Sequence, residues 1–323
     1  MTLKNSQNES CQIPSRYIEG QLYDDFLARL IYLHTHQKEL NIDRLIEQYF
    51  SMSNLSKLEQ IDRLKGWLDS FRPLSPIIVE ELKKLYDVQF TYNSNAIEGN
   101  TLTQSETELV LSKGITVGGK TLIEHLEVIG HKDAIDYVEC LSQHKQALRE
   151  WEIKQIHNLI LRKIAPEEAG RYRQLDVKAA GTNYLYPAHY LISQLMKDFI
   201  DWLNSDTAKN LHPVEYATVA HYRFVSIHPF RDGNGRTGRL LMNLLLLRAG
   251  YPIVVISNQQ RNNYINAIAY GQNNSDDVSQ LVDLVLSATK SSLIETLKLI
   301  VTAADSRGKG NPFYEEMMAV LDD

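Results

Sequence analysis

A chain of 323 residues, 43% hydrophobic and 23% charged, carries enough apolar material for one large core or two smaller ones, which excludes disorder throughout. The formal net charge of -6 at pH 7 excludes a globally basic face for duplex DNA or an anionic membrane, so any phosphate ligand must be held locally. Only Cys11 and Cys140 occur, with no neighbour at metal-ligand or redox spacing, which excludes a disulfide framework and a zinc site.

Residues 1–18 read as a polar tail without the apolar core of a signal peptide. Leu22, Phe26, Leu30 and Leu33 then recur at helical spacing, and a second helical stretch runs from Ile42 to about Phe71. After Pro73 and Pro76, residues 77–94 predict an amphipathic helix with Val79, Leu82, Leu85 and Phe90 on its apolar side and Gly99 as C-cap. Thr103-Gln-Ser-Glu106 fits a capping box opening a short helix, which Gly114 and the Gly118-Gly119 pair close. Helical patterns follow over 122–141 and 151–164. Residues 176–185 are the one place where strands are predicted, as a β-hairpin about Gly181-Thr182-Asn183. Helical spacing resumes over 189–203, 212–227, 235–248, 261–272 and 276–303. The most apolar run, Leu240 to Leu247, is too short to span a bilayer, so a soluble, cytoplasmic protein is expected. With no alternating strand–helix pattern, the fold class expected is all-α, a helical bundle with one β-hairpin.

The informative segment is Ile227-His-Pro-Phe-Arg-Asp-Gly-Asn-Gly-Arg-Thr-Gly-Arg239. Pro229 disfavours helical geometry at His228, so the preceding helix ends there and presents the imidazole at a turn. The glycines let the chain fold tightly into the next helix, whose first amides are unpaired and form an anion site. Arg236 and Arg239 stand one turn apart where the helix dipole disfavours cations by roughly 0.3 to 1 kcal/mol each, which an anionic ligand would explain. Asp232 beside them suits Mg²⁺. A dinucleotide-binding reading of Gly233-Asn-Gly-Arg-Thr-Gly238 fails because a helix, not a strand, precedes it, and no Gly-Lys-Ser/Thr completes a P-loop.

This segment resembles the Fic signature, HPFx(D/E)GNGRxxR, complete at every fixed position. The resemblance extends over roughly residues 90–285, through Gly170-Arg-Tyr-Arg173, the hairpin, His212-Pro-Val-Glu215 and Gly250-Tyr-Pro252. It implies a Fic-type bundle over 114–305 that moves AMP from ATP, with Mg²⁺, onto a protein hydroxyl. His228 would be the base, Asp232 the metal ligand and Phe230 the anchor of the loop. Backbone and side chains across Pro229, Phe230, Arg231, Asp232, Gly233, Asn234 and Gly235 would surround the phosphates, with Arg236 on the β- and Arg239 on the γ-phosphate. The hairpin, with Gly181, Thr182, Asn183 and Tyr184, resembles the family's flap, and the target protein would dock along 181–186 by strand addition. Tyr264 and Gln272 would lie near the adenine, although Ile265 replaces a second tyrosine often found there.

Ser94-Asn-Ala-Ile-Glu98-Gly-Asn100 resembles the family's inhibitory motif, which implies that Glu98 pairs with Arg239 and restrains transfer. It would sit on a helix over about 77–99, within an N-terminal helical region over 19–113; residues 306–323 read as a C-terminal tail. Alternatives left open are removal of AMP by the same site, transfer of another nucleotide, and a nucleotide-binding regulatory module without turnover. No nucleic acid or membrane partner is expected, and a homo-oligomer is left open.

Overall fold

A computed structural model describes residues 2–4, 10–12, 56–144, 146–178 and 184–303. The described residues form eleven α-helices and one short strand pair. The strands β1 (Thr2–Lys4) and β2 (Ser10–Gln12) are antiparallel, with Leu3 opposite Cys11. They fall in the stretch read as a tail, so the prediction that strands occur in one place only is corrected. The central residues of the expected hairpin, 179–183, lie outside the described residues, and 176–178 and 184–185 beside them carry no strand. Residues 19–55 and 306–323 also lie outside.

Local chemistry sets the helix ends. α1 (Lys57–Ser70) opens on a Ser56–Glu59 capping box, and the earlier part of the helix expected from Ile42 lies outside the described residues. α2 (Pro76–Ile97) takes Ser75 as N-cap, with Pro76 in the first turn where its missing N–H costs nothing. Its buried face is Ile78, Tyr86, Phe90 and Ile97, with Leu82 packed against the core. Val79 is exposed and Leu85 half-buried, which corrects the predicted stripe by about one position. α3 (Gln104–Lys113) and α4 (Leu122–Ser142) both open on capping boxes, Thr103–Glu106 and Thr121–Glu124.

α5 (Glu150–Leu161) follows, then α6 (Ile192–Asn204), the short α7 (Asp206–Lys209), α8 (Pro213–Ile227), α9 (Asn234–Arg248), α10 (Arg261–Asn273) and α11 (Ser279–Thr302). The last helix starts three residues later than expected because Ser275 and Asp276 adopt positive φ, which breaks helical geometry. α9 is the axis of the molecule. Leu240, Leu241, Met242, Leu244 and Leu246 are fully buried, as are Arg236, Arg239 and Asn243, so the helix is enclosed on all sides and is wrapped by α8, α4, α5 and α2. α11 packs on α1, α10 and α8, closing the bundle on the other side of α8. Among the described residues, no helix is long and apolar enough to cross a membrane.

Candidate active site

The site forms where α8 ends and α9 begins. His228 caps α8 with φ 52 and ψ 59, a left-handed conformation that turns the chain sharply before Pro229. Gly233, at φ 74, makes the second turn and starts α9. Between them Phe230 is fully buried, its ring lying flat on His157 with centroids 3.6 Å apart. Asn234 clamps the loop from within: its Oδ1 accepts from the Phe230 amide at 3.0 Å and its Nδ2 donates to the Phe230 carbonyl at 2.9 Å. The side chain of Asn234 therefore shapes the loop, and its backbone opens the helix.

Two residues to which the sequence reading gave no role hold the loop in place, one of them Arg173 of the Gly170-Arg-Tyr-Arg173 segment. His157, fully buried on α5, donates from Nε2 to the Asp232 carbonyl at 2.9 Å and accepts the Gly170 amide on Nδ1 at 2.9 Å, which fixes its tautomer. Burial lowers its pKa to about 4, so it stays neutral. Arg173, also buried, donates to the His228 carbonyl at 2.8 Å and to the Pro187 carbonyl at 2.5 Å, tying the His228 turn to the chain beyond the expected flap. Both act across long sequence separations, where no periodicity betrays them.

The His228 imidazole is mostly buried, and this desolvation depresses its pKa to about 4. The Arg173 charge pushes the same way, while the Val225 carbonyl, Glu98 and Asp232 favour the proton. The ring is neutral at physiological pH and able to accept a proton. Tyr186 lies over it, with ring centroids 4.2 Å apart, and meets Tyr184 edge-on at 5.2 Å. Gln272 donates to Ser226 at 3.3 Å and bonds the Tyr186 hydroxyl, so it stands on the His228 side of the site.

Arg236 and Arg239 are buried in the first and second turns of α9. Arg236 donates to Glu127 of α4 at 3.0 Å and to Asp232 at 3.4 Å. Glu127 in turn accepts from Asn100 at 2.8 Å, so it links Arg236 to the segment after α2. Arg239 donates to the Ser94 hydroxyl at 3.1 Å, the Ser94 carbonyl at 2.8 Å, Glu98 at 2.7 Å and the Tyr264 hydroxyl at 3.3 Å. The Glu98–Arg239 pair expected from sequence is thus present. Its carboxylate lies so close to the start of α9 that a Cβ on Gly235 would fall 2.3 Å from Oε1. Glycine at 235 is what lets a carboxylate approach the helix terminus.

The Asp232 carboxylate is largely exposed, with Oδ1 accepting the Gly233 amide at 2.6 Å. Arg231 faces solvent and pairs with Glu168 at 2.6 Å, apart from the arginine pair. Tyr264 corrects an expectation: it is 3% exposed, beneath Arg239 and against His221, so its ring has no open face for a nucleobase. Gly181, Thr182 and Asn183 lie outside the described residues.

The Fic/DOC family model matches residues 147–246, which include both halves of this turn. A Fic-domain signaling protein from Bacteroides thetaiotaomicron shares 32% identity and superposes with a TM-score of 0.69, covering 74% of this chain and 96% of that one. The chain belongs to the Fic/DOC family. Fic-1 from C. elegans has the same fold at 27% identity, with a TM-score of 0.69 over 89% of this chain and 86% of that one. A curated relative from Drosophila willistoni, named protein adenylyltransferase Fic, is 37% identical over 73% of this chain and 47% of its own length. The chain spans about half the length of the curated relatives it matches.

Proposed function

We propose that this Fic protein is an autoinhibited protein adenylyltransferase that transfers AMP from Mg-ATP to a Ser, Thr or Tyr hydroxyl of a target docked along residues 181–186. The observation that carries the reading is the Glu98 carboxylate bonded to Arg239 beside Gly235, an intrachain anion held at an anion-binding helix terminus. Such a terminus, with two buried arginines and a neutral histidine at the adjoining turn, suits transfer at phosphorus, which needs mainly positioning and charge neutralisation. The family relatives named adenylyltransferase support the same chemistry.

In this reading Arg236, backed by Glu127, faces the β-phosphate, and Arg239 faces the γ-phosphate once Glu98 withdraws. His228 takes the proton of the target hydroxyl as the oxygen bonds the α-phosphorus and pyrophosphate departs. A base of this kind contributes about 10²- to 10⁴-fold. Asp232 fits a magnesium ligand, because its carboxylate is exposed and only loosely paired with Arg236. Mg²⁺, when bound with ATP, offsets the charge of the phosphates.

The test is incubation of labelled ATP and host lysate with wild type, Glu98→Gly and Glu98→Gly/His228→Ala, followed by mass spectrometry. AMP on a hydroxyl of a lysate protein, strongest with Glu98→Gly and absent from the double variant, is expected. A folded Glu98→Gly protein that transfers no nucleotide refutes the reading.

A further inference from the structure

Arg239 is held almost entirely by the helix that restrains it. Of its four hydrogen bonds to side chains and backbone, three go to Ser94 and Glu98 on or at the end of α2. The fourth runs from Nη1 to the Tyr264 hydroxyl on α10, and the guanidinium also stands 5.7 Å from the centroid of that ring. The Tyr264 hydroxyl is itself engaged by His221 Nε2 of α8 at 2.8 Å. His221 is fully buried and packs against the motif helix, so that a Cβ on Gly238 would lie 2.7 Å from its Nδ1.

The polarity of this chain is constrained. Arg239 can only donate, so the Tyr264 oxygen accepts there and its own proton is free to go to His221 Nε2. That requires a neutral imidazole with Nε2 unprotonated, and burial keeps His221 neutral by lowering its pKa to about 3. The Tyr264 hydroxyl and Arg239 Nη1 then have compatible roles, while the Nδ1–H that this tautomer carries is buried against Gly238 without a hydrogen-bond partner.

From this geometry we infer that Tyr264, oriented by His221, is a positioning residue that keeps Arg239 aimed at the anion site when Glu98 lets go of it. The inference rests on the reading of Arg239 as a phosphate ligand. Withdrawal of Glu98 removes a carboxylate partner, and a long side chain released that way would otherwise gain rotamer freedom that the nucleotide must take back on binding. A buried hydroxyl on a separate helix, beside the two bonds to Ser94 on α2, removes part of that freedom in advance. It explains why a tyrosine whose ring has no open face lies beside a nucleotide-type site.

The experiment compares Mg-ATP affinity, by titration calorimetry, in Glu98→Gly and Glu98→Gly/Tyr264→Phe. The phenylalanine keeps the ring and deletes the hydroxyl, so the melting temperature should move little while Kd for Mg-ATP rises about tenfold, the scale of a hydrogen bond to a charged group. Adding His221→Leu to Glu98→Gly should weaken affinity in the same direction, and His221→Gln, which keeps an acceptor for the tyrosine proton, should recover most of it. Equal Kd values with and without the hydroxyl overturn the positioning role. If Glu98→Gly itself binds no Mg-ATP, the nucleotide reading fails instead. A crystal structure of Glu98→Gly/Tyr264→Phe decides the geometry independently of any ligand: a displaced Arg239 guanidinium is expected, and one that stays in place overturns the inference.

Discussion

Phe230 and His228 are neighbours but one in sequence and differ completely in what they supply. Phe230 has no exposed surface and touches His157, Tyr172 and Phe224, so Phe230→Ala leaves a cavity directly beneath the His228 turn. Urea unfolding should show a loss of about 3 to 5 kcal/mol; a loss below 1 kcal/mol would mean that the turn does not depend on that anchor. In the proposed mechanism His228 is the base for the incoming hydroxyl, so His228→Ala in a Glu98→Gly background should abolish label incorporation while Mg-ATP affinity stays within about twofold, since such a base acts on the acceptor. Incorporation at the parent rate would remove His228 from the base role. The motif residues were legible because their types are crowded into thirteen consecutive positions. The roles of His157, Glu127 and Arg173 were not, because they meet the turn from α5, α4 and the loop after α5, far off in sequence, and that of His221 was not because its contact with Tyr264 is set by the packing of α8 on α10. Tyr264 shows the same limit in another form, since a buried and a ligand-facing tyrosine have the same spacing on a helix.

Among the elements, α2 was bounded in the sequence by Pro76 at one end and Gly99, at φ 105, at the other, while its N-cap Ser75 and its last turn to Ile97 were not read. Its orientation was less legible. Ile78 and Tyr86 go inward where Val79 goes outward, since Tyr86 donates to the Ser292 carbonyl of α11, a packing choice that periodicity alone does not fix. The helix delivers Ser94 and Glu98 one turn apart onto Arg239, and Arg261 donates to the Ile97 carbonyl at 2.7 Å to hold that end. Glu98→Gly removes the competing carboxylate at a helix terminus that tolerates glycine. Label incorporation should rise at least about tenfold, corresponding to about 1.4 kcal/mol of relieved competition. Arg239→Ala should not reproduce the gain, because in the proposed mechanism it deletes the phosphate partner together with the restraint. Equal activation by both variants would show that Glu98 acts without Arg239.

At the scale of the whole molecule, the apolar centre was legible from the leucine-rich run of α9, but the polar groups buried around it were not. Four histidines lie there with pKa values depressed chiefly by burial: His157 to about 4, His228 to about 4, His221 to about 3 and His131 well below the ordinary value. Arg236 and Arg239 push His131 further in the same direction, and Arg239 does so for His221. An unfolded chain takes up a proton on each ring near pH 6.5, whereas the folded protein refuses it until pH 4 or lower. Between those limits the unfolded state binds more protons, so stability is full above about pH 6.5 and falls as pH drops, by up to about 1.4 kcal/mol per pH unit for each ring. Carboxylates with depressed pKa values, such as Glu124 at about 2 through its bonds to Thr101 and Thr121, lose their contribution only below about pH 4.5 and leave the higher window to the histidines. Urea midpoints measured at pH 7.5, 6.0 and 5.0 should therefore fall steadily. His157→Gln, which keeps a donor for the Asp232 carbonyl but cannot titrate, should show a slope shallower by one proton. Midpoints that stay level from pH 7.5 to 5.0 would mean that these rings are charged in the folded protein, contrary to the neutral turn on which proton transfer by His228 depends.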